Sequence, residues 1–349
     1  MALGIAFAAF LACGGSDDTP ADTPAPDGTS TSSTSSSSGD TGPKPGSSSG
    51  EPNETVNCDV STKQSACTIS DPYFAFDVDL TTDKDCKTSL YIAGRPLPDG
   101  TDFKVRKYSL KTLDPCVFER DATFTELVSS DVIAADDAGE ILSVGTKAVE
   151  LLKGDQRIRC DGTLPAQATH LAVLAREGGV GYLGHYDIVN EKVANIALTK
   201  VTITGDTCAA APLPLTGGDP LRGLNSIAID TKGRLHVADT TYEKDQPAHR
   251  IVIYDPDGKY VNAYQGVDPE AFFSPTSVTP CKGGICVDAV DAVFSFDENG
   301  IMRGHAKLTA KSPSASLIRY IGSTRGPFFV FGNNDVEPRH FQVEAMVRP

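Results

Sequence analysis

Residues 223–239, Gly-Leu-Asn-Ser-Ile-Ala-Ile-Asp-Thr-Lys-Gly-Arg-Leu-His-Val-Ala-Asp, and 249–261, His-Arg-Ile-Val-Ile-Tyr-Asp-Pro-Asp-Gly-Lys-Tyr-Val, decide the fold. Each holds two short alternating strands around a tight turn, at Lys232-Gly233 and at Asp255 to Gly258. Together they make one four-stranded antiparallel blade. Such a blade cannot bury both faces alone, so it must stack on copies of itself. A ring of blades, a β-propeller, is the economical solution.

The copies are present. Val287 to Gly300 repeats the second half of the blade, with Asp297 to Gly300 standing for Asp255 to Gly258. Val132 to Val144 repeats the inner hairpin, with Asp136 for Asp230 and Gly139 for Gly233. Leu171 to Leu183, Phe74 to Ile92 and Ser316 to Phe331 keep the period with altered turns. Spacings of 50 residues from Gly233 to Gly283 and 42 from Asp255 to Asp297 divide residues 58–349 into six blades, with seven as the next count. Ring closure needs a partner for the strand read at Arg339 to Val347, and Thr62 to Ser70 is the candidate. The quoted stretch resembles an NHL repeat. The likeness rests on Gly223 to Asp230, the corner Ala238-Asp239-Thr240 and the strand opening at His249-Arg250-Ile251.

The chain ahead of the propeller is different in kind. Ala2 to Ala12 is an apolar run too short to span a bilayer, which needs about 20 residues, but suited to a signal-peptide core. Its ending, Phe10-Leu11-Ala12-Cys13-Gly14, resembles a bacterial lipobox. The resemblance implies a signal peptide at 1–12, lipidation of Cys13 and export to the outer membrane or cell surface. A buried helix or a frayed terminus that happens to contain cysteine is the alternative. Residues 13–57 are Ser, Thr, Gly, Pro and Asp with almost nothing to bury, which predicts a disordered tether.

Eight of the nine cysteines follow the tether, an even number that fits disulfides and an oxidising compartment. On the order of a hundred connectivities are open. Pairing in sequence order gives Cys58/Cys67, Cys86/Cys116, Cys160/Cys208 and Cys281/Cys286. For the last pair, a Gly283-Gly284 turn would set Cys281 directly opposite Cys286.

The formal net charge is −15, of which the tether holds about −6. An acidic propeller without clustered Lys and Arg is not a nucleic-acid binder. Gly46-Ser-Ser-Ser-Gly50 has the letters of a nucleophile elbow but lies in the tether rather than between strand and helix. Asp77, Asp79, Asp83 and Asp85 lack the glycine and distal glutamate of a calcium loop and read as strand-edge and turn carboxylates. Asp239 reads as a corner carboxylate accepting backbone N–H groups, and His185 and His236 as packing residues.

The candidate site is the ring of inner-strand openings, where Asp131, His170 (or Thr169), Asn225 and Thr276 converge from separate blades, with Asp71 a possible fifth. In the SMP-30/gluconolactonase-like propellers, which this chain resembles through Asn225, an asparagine opening an inner strand helps bind a divalent metal. That resemblance implies a Ca²⁺ or similar site involving Asn225 and Asp131 and a hydrolase or lyase activity. The competing expectation is a non-enzymatic, monomeric module binding a protein, peptide or glycan. Its recognition loop would be the insertion Tyr242, Glu243, Lys244, Asp245 and Gln246. A structural envelope lipoprotein is the third expectation.

Overall fold

The computed structural model describes residue 58 and residues 65–69, 73–96, 104–128, 132–144, 148–162, 170–190, 192–241, 248–265, 275–281, 284–289, 292–307, 315–322, 328–334 and 341–346. All lie in the second of two compact units, Thr55–Pro349. The signal-peptide, lipidation and tether expectations fall outside the described residues.

The described chain is all-β, with no helix. A nine-stranded sheet contains two runs of four strands. One is β1 (Ser65–Ile69) with β25 (Phe341–Met346), β24 (Phe328–Asn334) and β23 (Ala315–Gly322). The other is β2 (Tyr73–Thr82), β3 (Thr88–Pro96), β4 (Lys104–Leu113) and β5 (Cys116–Arg120), with β6 (Leu127–Val128) beside β4. Four four-stranded antiparallel sheets follow in chain order. The first is β7 (Val132–Ala135), β8 (Ile141–Val144), β9 (Val149–Lys153) and β10 (Gln156–Arg159). The second is β11 (His170–Glu177), β12 (Val180–Val189), β13 (Lys192–Thr204) and β14 (Thr207–Leu213). The third is β15 (Ser226–Ile229), β16 (Leu235–Thr241), β17 (Ala248–Tyr254) and β18 (Tyr260–Tyr264), and the fourth is β19 (Pro275–Cys281), β20 (Gly284–Ala289), β21 (Ala292–Asp297) and β22 (Met302–Lys307). The first strands β2, β7, β11, β15, β19 and β23 each adjoin the next, and β23 returns to β2. This is a β-propeller.

Counted as continuous sheets, there are five blades rather than the six expected. The difference lies in β1. It pairs antiparallel with β25, Ser65 opposite Ala345, and parallel with β5, Cys67 opposite Cys116, so two runs of four fuse into one sheet. The closure strand read at Thr62 to Ser70 is thus β1.

The turns explain why these segments are hairpins. Asp136, Asp230, Asp255 and Asp297 each accept, through Oδ1, the N–H groups two and four residues on. Each turn places a glycine in the left-handed region, where φ is 79° at Gly139, 74° at Gly233, 83° at Gly258 and 81° at Gly300.

The packing explains why β16 is buried along its whole length rather than alternating. Leu235 and Val237 face the preceding sheet with Tyr182 and Leu198, while Ala238 faces the following one with Val278 and Ile285. Each large apolar side chain buried this way is worth about 1.5–3 kcal/mol. Among ionisable side chains, Asp230, Asp239 and His236 are buried with partners, as the cost of leaving a buried polar or charged group unpaired requires.

Two of the four expected disulfides form, Cys160–Cys208 and Cys281–Cys286. The other two are exchanged, as Cys58–Cys86 and Cys67–Cys116. The exchange follows from β1, which lies alongside β5 and puts Cys67 beside Cys116. Cys281–Cys286 is diagonal rather than directly opposed, since Cys281 faces Gly284 and Cys286 faces Thr279. Gly284 is therefore a strand residue and not part of the turn. A Cβ there would lie 2.0 Å from the Phe296 carbonyl oxygen, so the close approach of β21 requires glycine at that register.

Candidate binding site at the inner-strand entries

The openings of β11, β15 and β19 lie at one end of three adjoining inner strands, the end opposite the β15–β16 turn. His170 begins β11, Asn225 immediately precedes β15, and Thr276 is the second residue of β19. The structure therefore brings these three entries together. Asp131, Thr169 and Asp71, and the recognition loop Tyr242 to Gln246, lie outside the described residues. The loop's flanks are described: Thr241 and Ala248 pair at the same end of β16 and β17.

Asn225 is exposed, and its backbone N–H donates to the Ala238 carbonyl at 3.0 Å. The approach to it is held by Asp239. This buried carboxylate accepts the N–H groups of Arg222 (2.8 Å) and Gly223 (2.7 Å) through Oδ1, and Arg250 Nε (2.7 Å) through Oδ2. Arg250 also donates to the carbonyls of Asp219 and Pro220. Gly223 passes so close to β16 that a Cβ would lie 2.0 Å from the Thr240 carbonyl oxygen. The corner reading of Asp239 holds, with an arginine the sequence pattern did not assign to it. Arg250 lies eleven residues away but directly across the β16/β17 pair.

Neighbouring entries are tied by side chains. Thr240 Oγ1 donates to the Pro275 carbonyl at 2.6 Å. Ser226 Oγ donates to the Val278 carbonyl (3.2 Å) and accepts its N–H (3.1 Å). On the other side of the ring, Asp77 Oδ2 accepts the Ile133 N–H at 2.8 Å and Asp79 Oδ2 that of Ala135 at 2.6 Å. Those N–H groups lie on the open edge of β7, and a carboxylate from β2 satisfies each. Asp83 accepts the Asp85 and Lys87 N–H groups in the β2–β3 turn. These acids are strand-edge and turn carboxylates.

The histidines named as packing residues are buried. His185 lies near Thr199, Nε2 to Oγ1 3.4 Å, and burial pushes its pKa down. His236 sits between Asp230 (3.2 Å) and the Tyr264 hydroxyl (3.3 Å). Burial pushes the Asp230 carboxyl up, but hydrogen bonds from His236 and Arg234 outweigh it and hold the pKa at about 2. Sequence reasoning missed Asp288, buried on β20 opposite Ser277 and close to the β19 entry. Its signal is an acid in an otherwise apolar strand.

Among the described residues, no group of three or more His, Cys, Asp or Glu side chains is placed to hold a metal ion. Asn225 supplies one side-chain oxygen at these entries, whereas Ca²⁺ takes 6–8 oxygens, roughly. The described donor set alone does not make that site.

No family model matches the chain, and no curated protein matches it. Solved structures of similar fold include a protein of unknown function from Dyadobacter fermentans, with 10% identity, 82% of this chain and 98% of that one covered, and a TM-score of 0.50. Another is an α-L-arabinofuranosidase from Fusarium graminearum in complex with an iminosugar inhibitor, at 12% identity, 80% and 97% coverage and a TM-score of 0.50. A gluconolactonase from Xanthomonas campestris is similar at 14% identity, 79% and 97% coverage and a TM-score of 0.45. At these identities the likeness is one of fold alone.

Proposed function

We propose that the chain is an exported, lipid-anchored propeller that works by recognition, presenting loops at the inner-strand entries to a protein, peptide or glycan. The observation that carries this reading is the use of the acids on β2 and β16. Asp77 and Asp79 are committed to the backbone N–H groups of Ile133 and Ala135, and Asp239 to those of Arg222 and Gly223. Carboxylates spent in this way rigidify the ring and fix its entries. Four disulfides support an oxidising compartment, and so export, with Cys13 as the anchor.

A metal-assisted hydrolase of lactonase type is the second reading, favoured by the exposed Asn225 at the opening of β15. One experiment separates the two. The purified protein, chelated and then given millimolar Ca²⁺, Mg²⁺, Mn²⁺ or Zn²⁺, is melted alongside Asn225→Ala and applied to immobilised glycans and envelope fractions. A site filled to 100 times its dissociation constant raises stability by about 2.7 kcal/mol. A metal-dependent rise lost in Asn225→Ala selects the hydrolase. Retained binding in that variant, abolished when residues 242–246 become a Gly-Ser turn, selects recognition.

A further inference from the structure

Cys58 is the first described residue. Its disulfide partner is Cys86, in the turn between β2 and β3. The strand that closes the ring, β1, starts seven residues later at Ser65. It is five residues long, with register pairs at Ser65, Ala66 and Cys67 to β25 and at Cys67, Thr68 and Ile69 to β5. A second disulfide, Cys67–Cys116, binds β1 itself to β5.

We propose that Cys58–Cys86 is a mechanical clip, which diverts any pull arriving through the N-terminal segment into the β2–β3 hairpin before it reaches the closure strand. The geometry supports this. Cys86 lies at the opposite end of β2 from the inner-strand entries, so a pull between the N-terminal segment and a partner held at the entries runs along the blade. In sequence, residues 59–66 fall between the two disulfides, so the Cys58–Cys86 bond carries a pull past them. Without the clip the same pull acts on those residues and then on β1, held by a few backbone hydrogen bonds and Cys67–Cys116. The inference rests on the reading of an N-terminal anchor and a partner at the entries, but its test uses neither lipid nor ligand.

The test is single-molecule pulling on the full chain between its N-terminus and a handle inserted within residues 242–246. Wild-type protein and Cys67→Ser/Cys116→Ser, which keeps the clip, are expected to show no early extension. Cys58→Ser/Cys86→Ser should show an early step for residues 59–66, of at most about 27 Å at 3.3–3.6 Å per residue, less the distance they already span. Removing all four cysteines should lengthen it, to at most about 48 Å less the folded span, as residues 59–72 are drawn out with β1. An early step in Cys67→Ser/Cys116→Ser as long as in the four-cysteine variant, or none in Cys58→Ser/Cys86→Ser, would overturn the clip. Should the variants fail to fold, a protease site placed within residues 59–64 of the otherwise wild-type chain decides the matter. After cleavage the N-terminal segment must stay attached, with the pulling trace unchanged, until a reductant is added. Release before reduction sinks the proposal.

Discussion

Cys86 occupies in the β2–β3 turn the position that Gly139 occupies in the β7–β8 turn, and both are left-handed, with φ of 60° and 79°. The surrounding hydrogen bonds agree. Asp83 and Asp136 each accept the N–H groups two and four residues on, and the carbonyl of each accepts the N–H of the left-handed residue. A cysteine therefore bears a backbone conformation that glycine adopts without strain, in exchange for the bond to Cys58.

That exchange can be measured. With the disulfide absent from both proteins, Cys58→Ser/Cys86→Gly should be more stable than Cys58→Ser/Cys86→Ser by about 0.5–1 kcal/mol, the left-handed cost less the extra chain entropy of glycine. Thermal unfolding should separate them by roughly one to three degrees. Equal midpoints would mean that the turn relaxes once the disulfide is gone.

Cys67–Cys116 and Cys160–Cys208 are also equivalent, with sequence separations of 49 and 48. Each joins neighbouring outer strands where a parallel contact is made: β1 to β5 in one case, Asp161 to Ala209 in the other. Thr216 and Lys259 make the same contact between the next two sheets with no cystine. Closing loops of this length should contribute about 4 kcal/mol in the chain-entropy model. Cys160→Ala/Cys208→Ala and Cys67→Ala/Cys116→Ala should therefore lose similar stability in guanidinium titrations, within about 1 kcal/mol. A much larger loss for the second pair would show that β1 depends on its disulfide for more than loop closure.

The sequence was legible where structure is local. The Asp-x-x-Gly turns at Asp136, Asp230, Asp255 and Asp297 carry their own hydrogen bonds, so the letters suffice to place the hairpins. The turn at Asp83 could be read only as an altered one, because Cys86 stands where the other turns have glycine. The disulfides Cys58–Cys86 and Cys67–Cys116 escaped because the parallel β1/β5 contact joins segments with no local signal of adjacency. The fused sheet followed from that same contact. At the site, Asn225 and the corner role of Asp239 could be read from the repeat, but Arg250 became its partner only through the β16/β17 register.

Acid should loosen the β15–β16 turn through Asp230. Its folded-state pKa of about 2 lies below the ordinary carboxyl value, so its contribution is present above about pH 4 and lost as pH falls towards 2. The depression corresponds to roughly 2 kcal/mol. Asp230→Asn should be destabilised by a similar amount at pH 7, while losing less stability than wild type between pH 4 and pH 2. An unchanged acid profile in Asp230→Asn would assign acid sensitivity elsewhere, to carboxylates such as Asp297, whose pKa is also lowered.

Closure by β1 gives two deletions opposite outcomes. Removing residues 58–70 takes away the strand paired to β25 and one half of both Cys58–Cys86 and Cys67–Cys116. The edge of β25 is then unpaired at a seam that the ring requires closed. The melting midpoint should fall by about ten degrees or more, or the cooperative transition should vanish. Removing residues 14–55 leaves β1, both disulfides and the clip at Cys58 in place, so the midpoint should stay within about one degree of the full chain. Calorimetry on the three proteins decides it. A 58–70 deletion that melts like the full chain would mean that the ring holds without β1, whereas a large fall in the 14–55 deletion would mean that the N-terminal segment stabilises the propeller directly.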